Sequence, residues 1–114
     1  MVILVVQDLI DSGHFQVING QGDCQKEITG PFCCDLLSIA MSKAPAGAAW
    51  VTVMGNVNTI AVATLTEVAV VVLAQGMKLD EFSFKKAKEQ EVIVLTTPKP
   101  IFETANYIYR MLND

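Results

Sequence analysis

The run Val68-Ala69-Val70-Val71-Val72-Leu73-Ala74 is apolar at every position and is the longest such run in the chain. Seven residues cannot cross a bilayer, which takes about 20. With no polar alternation, the run reads as a strand covered on both faces, as in the interior of a parallel sheet. Two further β-rich runs share its character, Ala49-Trp50-Val51-Thr52-Val53 before it and Val92-Ile93-Val94-Leu95 after it. Helical patterns separate the three, and that alternation is the signature of βαβ units.

The first intervening helix reads from Ile60, with Asn58 or Thr59 as its cap, and its small alanines let it lie close to a sheet. The second spans Asp80 to Glu89, acidic at its start and basic in its middle, with Phe84 and Ala87 on one face. Ile101, Ala105, Ile108 and Leu112 form the apolar stripe of a closing helix, with Pro100 in its first turn. Upstream, Asp35 reads as the N-cap of a helix carrying Leu37, Ala40, Met41 and Ala44. Ile28 to Cys34 reads as a strand broken by Gly30-Pro31, and His14 to Ile18 as another, closed by Asn19-Gly20. Residues 2–11 fit a strand by their β-branched content and a short helix by their Val5, Leu9 and Asp11-Ser12-Gly13 pattern.

A chain of 114 residues has room for one core. The expected architecture is a single α/β domain over residues 1–114 with a largely parallel sheet flanked by helices. An apolar fraction of 52% is high for so small a domain, and predicts that a partner chain covers part of the surface. A net charge of −4 with no basic cluster beyond Lys85, Lys86 and Lys88 argues against nucleic acid. No segment reads as membrane-spanning, and the apolar start meets Gln7-Asp8 without a preceding basic region, which reads as a cytoplasmic protein. Three cysteines, two of them adjacent, make a poor disulfide framework and fit a reducing compartment.

Gln25-Lys26-Glu27-Ile28-Thr29-Gly30, followed by Cys34-Asp35-Leu36-Leu37-Ser38, resembles the DRTGG domain. The likeness continues through Ala46 to Val53, Asn58 to Ala63, Gly76 with Asp80-Glu81, and Leu95-Thr96-Thr97-Pro98 with Phe102-Glu103. It implies the fold of the N-terminal domain of HPr kinase/phosphorylase, found also in phosphotransacetylases and in CBS-containing pyrophosphatases. It further implies a helix over residues 2–11 and a non-catalytic, regulatory module that forms homodimers. The chain departs from the family pattern at Gln25-Lys26, where Asp-Arg is common, at Pro31, where a second glycine is frequent, and at Pro100-Ile101, where Ser-Thr often precedes the Phe. Hydroxyls that could meet an anion are therefore missing.

Ligands of open parallel sheets lie beyond the carboxyl ends of the strands. There the loops present Gly55, Asn56, Asn58, Gly76, Thr96 and Thr97. Thr29 and Gly30, from the motif that carries the resemblance, join them as candidate ligand contacts. This rim offers amides and hydroxyls but no His, Cys or carboxylate, so it suits a polar small molecule such as a nucleotide and lacks a general base. Glycine and asparagine are equally what βα turns and helix caps require.

Cys33-Cys34 with Cys24 and His14 does not make a zinc set, since paired spacing is missing. In a strand the two adjacent thiols point to opposite faces, one buried and one outward. Cys34, just before the Asp35 cap, is the candidate for a redox switch or a cysteine enzyme, although Asp35 disfavours its thiolate. His14 reads as a strand-start residue. Asp8, Asp11, Asp23 and Asp35 lack any metal-loop spacing, so neither metal nor cofactor is expected. The sequence thus points to a regulatory or interaction module, homodimeric and sensing a small ligand, with a cysteine-based switch or a structural adaptor subunit as the alternatives. A protein partner fits either end of that range.

Overall fold

The apolar run centred on Val70–Leu73 forms the middle strand of a five-stranded sheet, as its two-sided hydrophobicity requires. The computed structural model describes residues 3–113. The elements are α1 (Val6–Asp11), β1 (Gln16–Asn19), β2 (Gly30–Cys33), α2 (Leu37–Lys43), β3 (Ala48–Thr52), α3 (Val57–Thr66), β4 (Val70–Leu73), α4 (Glu81–Glu89), β5 (Val94–Thr96) and α5 (Ile101–Asn113). The strand order is β1-β5-β4-β3-β2. Strands β2 to β5 are parallel, and β1 joins antiparallel to β5 at one edge.

The period of two sorts side chains between two apolar layers. Val70 and Val72 of β4, with Ala49 and Val51 of β3, face α1 and α5 through Val6, Leu9 and Ile108. Val71 and Leu73, with Ala48 and Trp50, face the other side, where Ala40 of α2, Ile60 and Ala63 of α3 and Ala87 of α4 pack. This is the α/β sheet flanked by helices that the sequence predicts.

Helix α1 confirms the helical alternative for the start of the chain, although it begins only at Val6. Val2, included in the expected helix, lies outside the described residues. The first-turn amides of α1 find partners in the following segment: Val6 N–H donates to Lys26 O at 3.1 Å and Gln7 N–H to Cys24 O at 2.8 Å.

Three local expectations are corrected. Helix α3 starts at Val57, and its cap is Asn56 rather than Asn58 or Thr59. The Asn56 side chain accepts from Thr59 N–H at 3.1 Å, which places Thr59 at the third helical position, where an N-cap side chain reaches. Asn56→Ala should therefore lower unfolding free energy by about 1 kcal/mol, read from the urea midpoint at unchanged slope.

Asp35 does not cap α2. That helix begins after Leu36 with no side-chain cap. The Asp35 carboxylate instead reaches the end of β3, accepting from Thr52 Oγ1–H at 2.7 Å and Val53 N–H at 3.0 Å. Two donors on a neighbouring strand outcompete one helix amide. Gly30-Pro31 does not break β2; both residues belong to it, and proline is tolerated because β2 is an edge strand.

Candidate functional site

Because β2 to β5 run parallel, their carboxyl ends lie along one rim of the sheet, and β1, running the other way, begins there. The reversal brings Gly13-His14-Phe15 to the same rim as the loops after β4 and β5. Between them lies a cavity of about 560 Å³, lined among others by His14, Gln16, Gly76, Lys78, Thr97 and Lys99.

The two loops of this rim are tied into one unit. Gly76 N–H donates to Thr97 O at 2.8 Å and Gln75 N–H to Lys99 O at 2.9 Å, so neither loop can move without the other. Thr96, at the end of β5, donates its hydroxyl to Met77 O at 2.7 Å, and the Thr97 hydroxyl accepts from Lys99 N–H at 3.3 Å. Thr97 N–H is taken by Leu73 O at 2.9 Å. The amides and hydroxyls expected to greet a ligand are therefore largely spent on holding the rim together. Thr96→Val, which keeps the shape and strands Met77 O, should cost about 1–3 kcal/mol, measured by chemical unfolding.

What remains free to meet a ligand includes two cations. Lys78 and Lys99 are exposed, and neither side chain makes an ion pair or hydrogen bond among the described residues. Among the described residues no carboxylate lines the cavity. Asp80, two residues beyond Lys78, accepts from Ser83 N–H at 2.7 Å as the cap of α4. That backbone bond holds its carboxyl below the usual carboxylate range and keeps its charge committed to the helix. The His14 ring lies against Tyr107 of α5, with centroids 4.3 Å apart and planes tilted by 45°.

The candidate contacts divide three ways. Gly76, Thr96 and Thr97 line the cavity. Gly55 and Asn56 belong to the next rim segment, between β3 and α3, and Asn58 to the first turn of α3. Asn56 serves as a cap and Gly55 lies against the Lys78 carbonyl, where a Cβ would come within 2.4 Å. Thr29 and Gly30 lead into and open β2, and so lie at the opposite end of the sheet. They line a separate cavity of about 710 Å³ with Ile3, Pro31, Tyr109 and Leu112.

The segment carrying the DRTGG resemblance has structural work to do. Thr29 Oγ1–H donates to Ala46 O at 3.2 Å, and Lys26 Nζ donates to Glu67 O at the end of α3 at 2.9 Å.

The sequence reading missed His14, Lys78 and Lys99. The lysines were visible as charged residues just past two strands, but His14 reaches the rim only because β1 is antiparallel.

The cysteines are free and disperse. Cys33 is exposed at the end of β2, while Cys34, beyond the strand, is half-buried with its Sγ–H donating to Leu36 O at 3.3 Å. The expectation of one fully buried thiol is not met. Local packing and the nearby Asp35 carboxylate push the Cys33 thiol above the ordinary cysteine range. It stays protonated at neutral pH, so its alkylation by iodoacetamide should be slow at pH 7 and rise only toward alkaline pH, followed by mass spectrometry. Among the described residues no group of three or more His, Cys, Asp or Glu side chains is placed to hold a metal. No helix described is long and apolar enough to cross a membrane.

Neither a protein-family model nor a curated protein matches this chain. Its fold is similar to the crystal structure of the CBS and DRTGG domains of the regulatory region of Clostridium perfringens pyrophosphatase, complexed with its activator, diadenosine tetraphosphate. The TM-score is 0.70 at 16% identity, over 92% of this chain and 45% of that one. The chain thus spans less than half of that regulatory region, and the likeness is one of fold.

Proposed function

We propose that this protein is a non-catalytic regulatory module that senses a small anionic ligand, of the nucleotide class, at the carboxyl ends of its strands. The convergence of His14, Lys78 and Lys99 on a cavity that no carboxylate of the described residues lines carries this reading. The fold agrees with it, because the similar structure is a regulatory region whose complex contains a nucleotide activator. The rim has recognition groups but no nucleophile paired with a base, which suits binding rather than turnover.

The module is a homodimer in this proposal. Its support is the open edge at β2, flanked by exposed Leu36, Ile39 and Tyr109, the last 56% accessible. An unpaired edge bordered by apolar side chains favours association. Light scattering at micromolar concentration should give twice the chain mass of 12.4 kDa; a monomeric mass removes the dimer.

A thermal-shift screen of nucleotides and phosphorylated metabolites tests the sensing role. Saturation at about 100 times Kd should add about 2.7 kcal/mol of stability, seen as a raised melting midpoint. A flat response to every compound overturns it.

A further inference from the structure

The sensing role says that a ligand binds at the rim; the side chains there say which part of it is held. We propose that His14, Lys78 and Lys99 form a phosphoryl-binding site, so that the ligand is a phosphorylated small molecule gripped by its phosphate. The proposal rests on the sensing reading and narrows it.

Three observations support it. First, the side chains come from three separate segments, the approach to β1 and the loops after β4 and β5, and line one concavity. In a chain with 8 Lys and Arg against 12 Asp and Glu, two unneutralised lysines facing one cavity are a departure from the overall balance. Lys86, by contrast, has Glu89 at 3.5 Å, and Lys26 is bonded to Glu67 O. Second, the rim's amides and hydroxyls bond one another, so recognition falls to side-chain nitrogens. Ammonium groups act as point charges for phosphate, and both lysines line the cavity that His14 also lines. Third, the mounts are fixed. The bonds Gly76 to Thr97 and Gln75 to Lys99 set the lysine-bearing backbones relative to one another, and Tyr107 backs the His14 ring. With the backbones already fixed, binding has only the lysine side chains left to order.

Isothermal titration with inorganic pyrophosphate, ATP, adenosine and citrate in low salt decides the matter. Pyrophosphate and ATP should bind, with adenosine and citrate at least about tenfold weaker, since a bond to a charged group carries about that factor. Lys78→Ala and Lys99→Ala should each weaken pyrophosphate about tenfold, and His14→Phe, which keeps the stack on Tyr107, should weaken it less. Lys85→Ala on α4 should change nothing. Both rim lysines are exposed and make no side-chain hydrogen bond among the described residues, so the variants should melt with the wild type. Citrate binding as tightly as pyrophosphate, alanine variants binding like wild type, or Lys85→Ala weakening binding equally overturns the phosphoryl site. If ATP binds and neither Lys78→Ala nor Lys99→Ala weakens it, the sensing role stands and the phosphoryl assignment alone falls. If neither these probes nor the wider screen binds, both fall.

Discussion

Trp50→Ala should remove about 3–5 kcal/mol of unfolding free energy, a large share of the 5–15 kcal/mol or so that holds a domain of this size together. Trp50 sits on β3 and is fully buried, packed in the layer with Ile60, Ala63 and Leu73. Its Nε1–H donates to Cys34 O at 3.0 Å. The alanine variant therefore combines a cavity with an unpaired carbonyl just beyond the edge strand. Trp50→Phe separates the two: most of the volume stays, and the missing donor alone should cost about 1–3 kcal/mol. Trp50 is the sole tryptophan, so both variants are followed by circular dichroism rather than fluorescence. A loss below about 1 kcal/mol for the alanine variant would mean that β3 is not the packed interior strand seen here.

That bond also shows what was not legible at Cys33-Cys34. The adjacent thiols drew attention as chemistry, yet the group that matters structurally is the Cys34 carbonyl, which no residue-type pattern reveals. Strand identities were legible because Val70 to Leu73 and its neighbours are apolar on both faces, and burial on both faces leaves few other folds. Helix starts were less so. Asn56, Asn58 and Thr59 are all good caps, and only the three-dimensional offset between Asn56 and Thr59 N–H decides among them. Asp35 shows the same limit more sharply, since its true partners, Thr52 and Val53, lie 17 and 18 positions away in sequence.

The candidate site was legible in place but not in chemistry. The rule that ligands gather at strand carboxyl ends put Gly76, Thr96 and Thr97 at the right rim. It could not say that their polar groups would be consumed by one another. Nor could it bring in His14, whose arrival depends on an edge strand running against the rest. Thr29 and Gly30 came with the family resemblance rather than from the geometry, and they lie at the other end of the sheet.

Gly55→Val should damage both stability and ligand binding, and the coupling of the two is the sharper test of the rim. A Cβ at position 55 would stand 2.4 Å from the Lys78 carbonyl oxygen and 3.1 Å from its carbon. Both are backbone atoms, so a rotamer change cannot relieve the clash and one of the two loops must move. Overpacking of this kind costs about 1–3 kcal/mol, and the branched side chain puts the cost at the upper end. The clash falls on the backbone of Lys78 itself, so pyrophosphate affinity should fall even at temperatures where the variant is fully folded. Gly30→Ala is the matched control: among the described residues nothing lies within 4 Å of its would-be Cβ, and its cost should stay within about 0.5 kcal/mol. If Gly55→Val loses stability but binds pyrophosphate as wild type does, the β3–α3 loop supports the fold without positioning Lys78. If it loses both in step with Lys78→Ala, Gly55 is the backbone contact that sets the height of the lysine over the cavity.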